Sequence, residues 1–310
     1  MSSLEVTVVV VARNAASILP TCLLHLEQQS LPAAHYEILV ADAASTDNTL
    51  EVITSCATGA PVRVRAVRST SPEIIKALNA GLHAAEGRYV LVLTPDLLAS
   101  PELLERHLDA QKTAGLCLGL GPVLRHPQMS SGSPTHWSSS IHPNAGHPAE
   151  AVNYLQARAS NFSLPRNRVL WEGGLDARFL EPDIAAAELA FRIVRGGMPI
   201  VPVPGGTAYA WLPADLAAER DRAYRLGYSL HRLAELTDAG AVWARYPKQA
   251  PWTRPLLDWF IVPFYLRRLE EDSAGTPVWR QAYRRLLRSD QHAGLVDALR
   301  ERPPRGPAGA

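Results

Sequence analysis

Apolar and polar positions along this chain alternate between two periods. Val6 to Val11 is a β-branched run with no polar interruption, the pattern of a strand covered on both faces. After a polar turn at Asn14 to Ser17, the stretch Leu19 to Gln29 carries Cys22, Leu23 and Leu26 at helical spacing. Tyr36 to Val40 reads as a second strand, Thr49 to Cys56 as the start of a second helix, and Val62 to Val67 as a third strand. Ile74 to Ala85 is predicted helical and stopped by Gly87, and Tyr89 to Leu93 supplies a fourth strand. Pro101 to Thr113 is predicted helical and Leu116 to Leu124 a strand. Asp183 to Arg195 reads as a helix stopped by Gly196-Gly197, with a short strand at Ile200 to Val203. From Ala214 the pattern is mainly helical. This alternation predicts an α/β protein, a mostly parallel Rossmann-like sheet flanked by helices, with a helical C-terminal extension. The boundaries implied are 1–213 for the α/β domain, 214–300 for the helical region and 301–310 for a disordered tail.

Composition narrows the class. The 310 residues carry a net charge of +1, so no global field points to nucleic acid or acidic partners. A hydrophobic fraction of 47% with 20% charged residues is that of an ordinary globular protein. Cys22, Cys56 and Cys117 are far apart, which suits buried thiols in a reducing compartment better than a disulfide framework. The amino terminus has no basic region of the kind that opens a signal peptide, and no stretch approaches the ~20 apolar residues of a membrane span. A cytoplasmic location is the expectation, peripheral at the inner face of a membrane if residues 256–268 contact it. There Trp259, Phe260, Ile261, Val262, Phe264 and Tyr265 precede Arg267-Arg268, an aromatic segment with basic flanks that could also pack on the main domain.

Residues 37 to 49 concentrate the candidate chemistry. A buried strand runs into Asp42, then a small-residue turn, then Asp47-Asn48-Thr49. A carboxylate at the carboxyl end of a parallel strand sits where open α/β sheets bind ligands. Asp96 has a similar place after the fourth strand, the alternative being a cap for the helix near Pro101. The serine-, proline- and histidine-rich stretch Met129 to Pro148 reads as a long mobile loop, and His126, His136, His142 and His147 as solvated rather than metal-bound. Gly119-Leu120-Gly121 lacks the third glycine of a dinucleotide fingerprint and continues a strand into Pro122. Neither a Walker loop nor a Gly-x-Ser-x-Gly elbow is present.

Four segments in order resemble the family 2 nucleotide-sugar glycosyltransferases: Val11-Ala12-Arg13-Asn14; Asp42-Ala43-Ala44-Ser45-Thr46-Asp47-Asn48-Thr49; Asn79-Ala80-Gly81 with Ala85-Glu86-Gly87-Arg88-Tyr89 and Thr94-Pro95-Asp96; and Gly173-Gly174-Leu175-Asp176 with Glu188-Leu189-Ala190-Phe191-Arg192. The resemblance implies the GT-A fold and an inverting transfer of a sugar from a nucleotide donor, a UDP-sugar first, to a hydroxyl on a glycan or lipid-linked acceptor. It implies nucleotide contacts from Ala12, Arg13, Asn14, Asp42, Asn79 and Asp96. It also implies an Mg2+ or Mn2+ ion on Asp96 and an acceptor side shaped by Asn161, Arg166, Gly173 and Gly174. Such a cation would stabilise the diphosphate leaving group, and a base would deprotonate the acceptor.

The chain departs from the family pattern where acids are expected. Ala43 and Thr94 replace two of them, Ala185-Ala186 stands where the Glu-Asp pair with the base belongs, and Tyr209-Ala210-Trp211 replaces a frequent metal-ligand histidine. Substitute bases are Asp183 first, then Glu188 and Glu181. Against this, Asp183 reads equally as a helix-start acid, Glu188 as an i,i+4 partner of Arg192, and Glu181 as a solvated loop acid. Arg220, Arg222, Arg225 and Arg232, beside Tyr224, Tyr228 and His231, read either as diphosphate contacts or as a solvated basic face. Competing functions are a non-catalytic relative that binds a sugar nucleotide or partner protein, and a nucleotidyltransferase.

Overall fold

The computed structural model describes residues 4–128, 153–211, 216–245, 266–267, 269 and 277–304. The loop expected at 129–148, His136, His142, His147 and the aromatic segment before Leu266 lie outside them. The chain divides into two compact units. The first holds the described residues within Met1–His126, Ser140–Arg178 and Ala185–Trp211, and the second those within Pro127–Ser139, Phe179–Ile184 and Leu212–Ala310.

The first unit is built on a seven-stranded sheet. In chain order its elements are β1 (Val6–Ala12), α1 (Leu19–Glu27), β2 (Tyr36–Ala43), α2 (Thr49–Ala57), β3 (Arg63–Ser69), α3 (Ile74–Ala84) and β4 (Tyr89–Leu93). They continue as β5 (Leu97–Ala99), α4 (Leu103–Thr113), β6 (Leu118–Leu120), β7 (Val123–Arg125), β8 (Phe162–Pro165), α5 (Arg166–Trp171), α6 (Pro182–Arg195, from Ala185 onward in this unit), β9 (Ile200–Pro202) and β10 (Ala208–Ala210). The sheet order is β3-β2-β1-β4-β8-β6-β9, and a second sheet has the order β5-β10-β7. β1 through β4 pair in parallel, whereas β8 runs antiparallel to both β4 and β6. The unbroken apolar runs lie where covered strands belong: every residue of β1, β2 and β4 is buried. One core cluster packs Val8, Val10, Leu23, Ile38, Leu91 and Leu103 together. At the opposite end of the strands from Asp42, buried Glu37 accepts from Thr7 Oγ1 at 2.8 Å and Arg65 Nε at 2.8 Å, which anchors the start of the sheet.

Several boundaries differ from the sequence reading, each for a tertiary reason. Leu116 to Leu124 is not one strand. It breaks at Gly121-Pro122 into β6 and β7, which join different sheets. A Cβ on Gly121 would overlap the Asn161 side chain and the Gly206 carbonyl, and Pro122 has no N–H for a ladder. Leu97-Leu98 form β5 and α4 begins only at Leu103, so Asp96 caps no helix. β8, α5 and β10 carry too few residues for a periodic signal.

The second unit contains α7 (Leu216–Leu236), α8 (Ala239–Arg245) and α9 (Pro277–Leu299). α7 and α9 cross at two glycines. A Cβ on Gly227 would overlap the Gln291 carbonyl, and one on Gly294 the Tyr224 carbonyl, so this backbone approach needs glycine on both sides. Arg220 pairs with Asp290 at 2.8 Å and Tyr224 Oη donates to Asp297 at 3.1 Å along the same seam.

Candidate functional site

The parallel register gathers the candidate nucleotide residues at one edge. Ala12 stands opposite Asp42 across β1 and β2, and Asp42 opposite Arg68 across β2 and β3. Asp42 is buried, and among the described residues its carboxylate oxygens accept only a long bond, 3.3 Å, from Ser45 N. Arg68 is exposed at the same row. It was not among the residues picked out by sequence, because only strand pairing brings position 68 to position 42.

The loops after β1 and β2 are stitched together by short polar side chains. Asn14 N donates to Ser45 Oγ at 2.9 Å, and Asn14 Oδ1 accepts from Thr46 N at 2.8 Å. Ala15 N donates to Thr49 Oγ1 at 2.9 Å and Ala16 N to Asp47 Oδ2 at 3.1 Å. Asn14 and Ala44 hold left-handed φ values of 48° and 50°. Burial acts to raise the Asp47 carboxyl, but the hydrogen bonds from Thr49 and Ala16 outweigh it and the group ends below its ordinary value. This leaves Arg13 exposed at the rim and fixes the loop that frames Asp42. The Asp-x-Thr spacing at 47 and 49 is the sequence signal for such a turn.

Asp96 lies three residues beyond β4 and is partly exposed. Its main-chain oxygen accepts from Trp211 N at 3.1 Å, while its carboxylate takes no hydrogen bond from another described residue. Among the described residues no group of three or more His, Cys, Asp or Glu is placed to hold a metal ion. A single free carboxylate fits a magnesium-like ion that arrives with phosphates and completes its shell with their oxygens and water. Cys22 sits nearby, its thiol pushed up to about 12 by burial and then by the charge of Asp96.

The residues expected on the acceptor side have internal partners. Asn161, with φ 49°, is fully buried. Its Nδ2 donates to Pro122 O at 2.9 Å and Gly206 O at 2.8 Å, so its Oδ1 is the acceptor for His107 Nε2 at 3.1 Å. That assigns the Nε2–H tautomer to His107 and leaves Nδ1 to accept from Ser163 Oγ at 2.8 Å. Burial pushes His107 down to about 4, against the smaller opposing effect of the Asn161 hydrogen bond. Asn79 pairs with both main-chain groups of Leu175, at 2.8 and 2.9 Å. It thereby holds the Gly173-Gly174 turn, whose φ values of 78° and 76° are accessible to glycine and costly elsewhere. Arg166 donates from Nη2 to His83 O at 3.1 Å.

The substitute bases are also engaged. Ala185 and Ala186 are 0% and 3% exposed, so apolar packing has taken over the position of the expected acids. Glu188 chelates Arg192 at 2.8 and 2.9 Å, and Arg192 Nη2 in turn donates to Gly174 O at 2.7 Å. Glu188 thus braces the glycine turn through Arg192, as the i,i+4 spacing suggested. Asp183 accepts from Arg222 Nη2 at 2.6 Å within the second unit. Glu181 corrects an expectation: it is buried, not a solvated loop acid, because Arg222 Nε at 3.0 Å and Arg225 Nε at 3.6 Å hold it inside. Burial raises its carboxyl above the ordinary value, the Arg222 charge opposing. The C-terminal arginines are committed in the same way: Arg220 to Asp290, Arg225 also to Asp221, and Arg232 over the Phe179 ring.

His126 likewise departs from the solvated reading. Its ring stands edge-on to Trp211 at 4.6 Å and to Tyr209 at 5.9 Å.

Residues 7–160 match the family model described as glycosyl transferase family 2. A PGL/p-HBAD biosynthesis glycosyltransferase of Mycobacterium tuberculosis is 29% identical over 90 residues, 29% of this chain and 34% of that protein. Its Mycobacterium bovis counterpart matches equally. This chain therefore spans about a third of the length of these curated relatives. Among solved structures, a mannosyltransferase from Pyrobaculum calidifontis in complex with GDP-Man and Mn2+ superposes with a TM-score of 0.66 at 18% identity. It covers 96% of this chain and 88% of its own. S. aureus TarS 1-349 in complex with UDP gives 0.55 at 16% identity, covering 97% and 93%. The fold is thus that of GT-A glycosyltransferases.

Proposed function

Because residues 7–160 belong to glycosyl transferase family 2, we propose that this protein transfers a sugar from a nucleotide-sugar donor to a hydroxyl acceptor. The observation that carries the reading is the carboxyl edge of the sheet. There the Asp96 carboxylate has no hydrogen-bond partner among the described residues, and the stitched loop of Asn14, Ser45 and Thr46 frames buried Asp42, whose oxygens accept from Ser45 N at 3.3 Å. Asp42 and the exposed guanidinia of Arg13 and Arg68 supply an acceptor and donors for a base and ribose. Asp96 would hold an Mg2+ or Mn2+ ion, which supplies charge stabilisation for the departing diphosphate. The relatives named as complexes carry GDP-Man or UDP, so both nucleotides are candidates, and the acceptor is a glycan or lipid-linked hydroxyl. No described helix is long and apolar enough to cross a membrane.

Calorimetric titration of UDP and GDP, with Mn2+ and with chelator, tests the reading. Metal-dependent binding lost in Asp96→Ala supports it, and no binding of either nucleotide by the wild-type chain refutes it.

A second reading is favoured by Ala185, Ala186 and the Arg222 clamp on Asp183. In it the chain binds a sugar nucleotide without transferring it, since no expected base position keeps an uncommitted acid. Transfer to any hydroxyl, abolished by Asp96→Ala, would eliminate this alternative. Loss of transfer in Asp183→Asn, with nucleotide affinity unchanged, would assign the base.

A further inference from the structure

The three-stranded sheet β5-β10-β7 has two unlike faces. Leu97, Ala99, Val123, Ala208 and Ala210 belong to the core cluster. By the two-residue period of a strand, Tyr209 and Trp211 point the other way. His126, one residue past β7, meets both of them on that face, with His126 N donating to Ala210 O at 3.0 Å. Extending the ladder one position past Leu97–Ala210–Arg125 gives the row Asp96–Trp211–His126, and the bond from Trp211 N to Asp96 O confirms it. Trp211 is therefore an indole 36% exposed, held edge-to-face by an imidazole and rooted on the strand beside Asp96.

We propose that Trp211, positioned by His126, is a stacking surface for the sugar ring of the donor. This rests on the nucleotide-sugar reading of Asp96. A cation on Asp96 would draw the diphosphate to this edge, and the group joined to that diphosphate is the pyranose. Neighbouring strands lie about 4.8 Å apart, so a side chain on the adjacent strand is within reach of that group. One side of a pyranose is a set of C–H groups that an aromatic face receives without loss of hydrogen bonds, and binding pockets combine such faces with a few polar anchors. A cation-binding imidazole at this strand end would act on the phosphate alone. An indole acts on the sugar, so the substitution moves recognition from the leaving group towards the transferred group. His126 fixes the ring so that less side-chain freedom is lost on binding.

The test is calorimetry in Mn2+ with two probe pairs, UDP against UDP-N-acetylglucosamine and GDP against GDP-mannose. Wild type, Trp211→Ala and Trp211→Phe are compared. For the pair that the wild-type chain binds, Trp211→Ala should weaken the sugar nucleotide by about five- to tenfold while the bare diphosphate changes by less than about twofold. Trp211→Phe, which keeps an aromatic face, should restore sugar-nucleotide affinity to within about twofold of wild type. An equal loss for both members of the pair, or no loss for either, overturns the proposal. If the wild-type chain binds none of the four probes, the donor site itself is absent and both readings fall. That outcome is distinguished because it requires no variant.

Discussion

Asn161→Ala separates two roles for a residue that the family resemblance assigned to the acceptor side. Removing the amide leaves Gly206 O and the His107 Nε2–H without their partners in a buried setting. Each such orphan costs about 1–3 kcal/mol. Pro122 O keeps Ala208 N, so that loss is nearer to about 1 kcal/mol. Alanine is also less tolerant than asparagine of the φ of 49° at this position. These terms span about 3–7 kcal/mol, and partial relaxation around the truncated site puts the expected cost near the lower end, about 4 kcal/mol. At about 2–4 °C per kcal/mol for a unit of this size, the melting midpoint should fall by roughly 10 °C. Differential scanning calorimetry reads this directly, and UDP or GDP titration at low temperature shows whether the remaining fold still binds. A variant that melts within about 2 °C of wild type refutes the network reasoning. If such a variant also lost acceptor affinity, Asn161 would be an acceptor contact after all.

Gly294→Ala forces the α7 and α9 backbones apart and should cost about 3 kcal/mol, read as faster hydrogen exchange in both helices. Gly227→Ala acts at the same crossing, so the double variant should cost less than the sum; strict additivity would contradict a shared contact. His107 has a folded value near 4 against 6.5 ordinarily, so the unfolded chain binds the extra proton between those values. Stability is fully present above pH 6.5 and falls by up to about 3 kcal/mol as pH drops to 4, a component that should vanish in His107→Gln pH-melting profiles. Glu188→Gln weakens the chelate that holds Arg192 on the glycine turn and should lower the melting midpoint by a few degrees without changing UDP affinity. A large loss of UDP binding in Glu188→Gln would show that the turn contributes to the nucleotide site.

The strands are legible in the sequence where the signal is local. Val6 to Val11 and Tyr89 to Leu93 are unbroken apolar runs, and such runs have few alternatives to a doubly covered strand. The helices at 19, 74 and 183 show their apolar spacing and their stops. The place of Asp42 at the carboxyl end of β2 was legible because strand-then-acid is itself a local order. The side chains that define the site's support were not. Asn79 and Leu175 are 96 residues apart, and Asn161 and His107 are 54 apart. Their pairing leaves no periodic trace. The polar residues picked out at Asn161, Glu188 and Arg222 each have internal partners, His107, Arg192 and the pair Glu181 and Asp183 respectively, since a buried polar group must find a partner wherever the fold supplies one.

The amino-acid order by itself therefore determined the parallel half of the sheet, its flanking helices and the acids that stand at its edge. Those depend on residues within one or two turns of each other. Tertiary structure alone decided the break at Gly121-Pro122, the antiparallel placement of β8, and the three-strand sheet that sets Trp211 between Asp96 and His126. Strands of three or four residues have too little intrinsic preference to specify their partners, so packing against the finished core chooses for them.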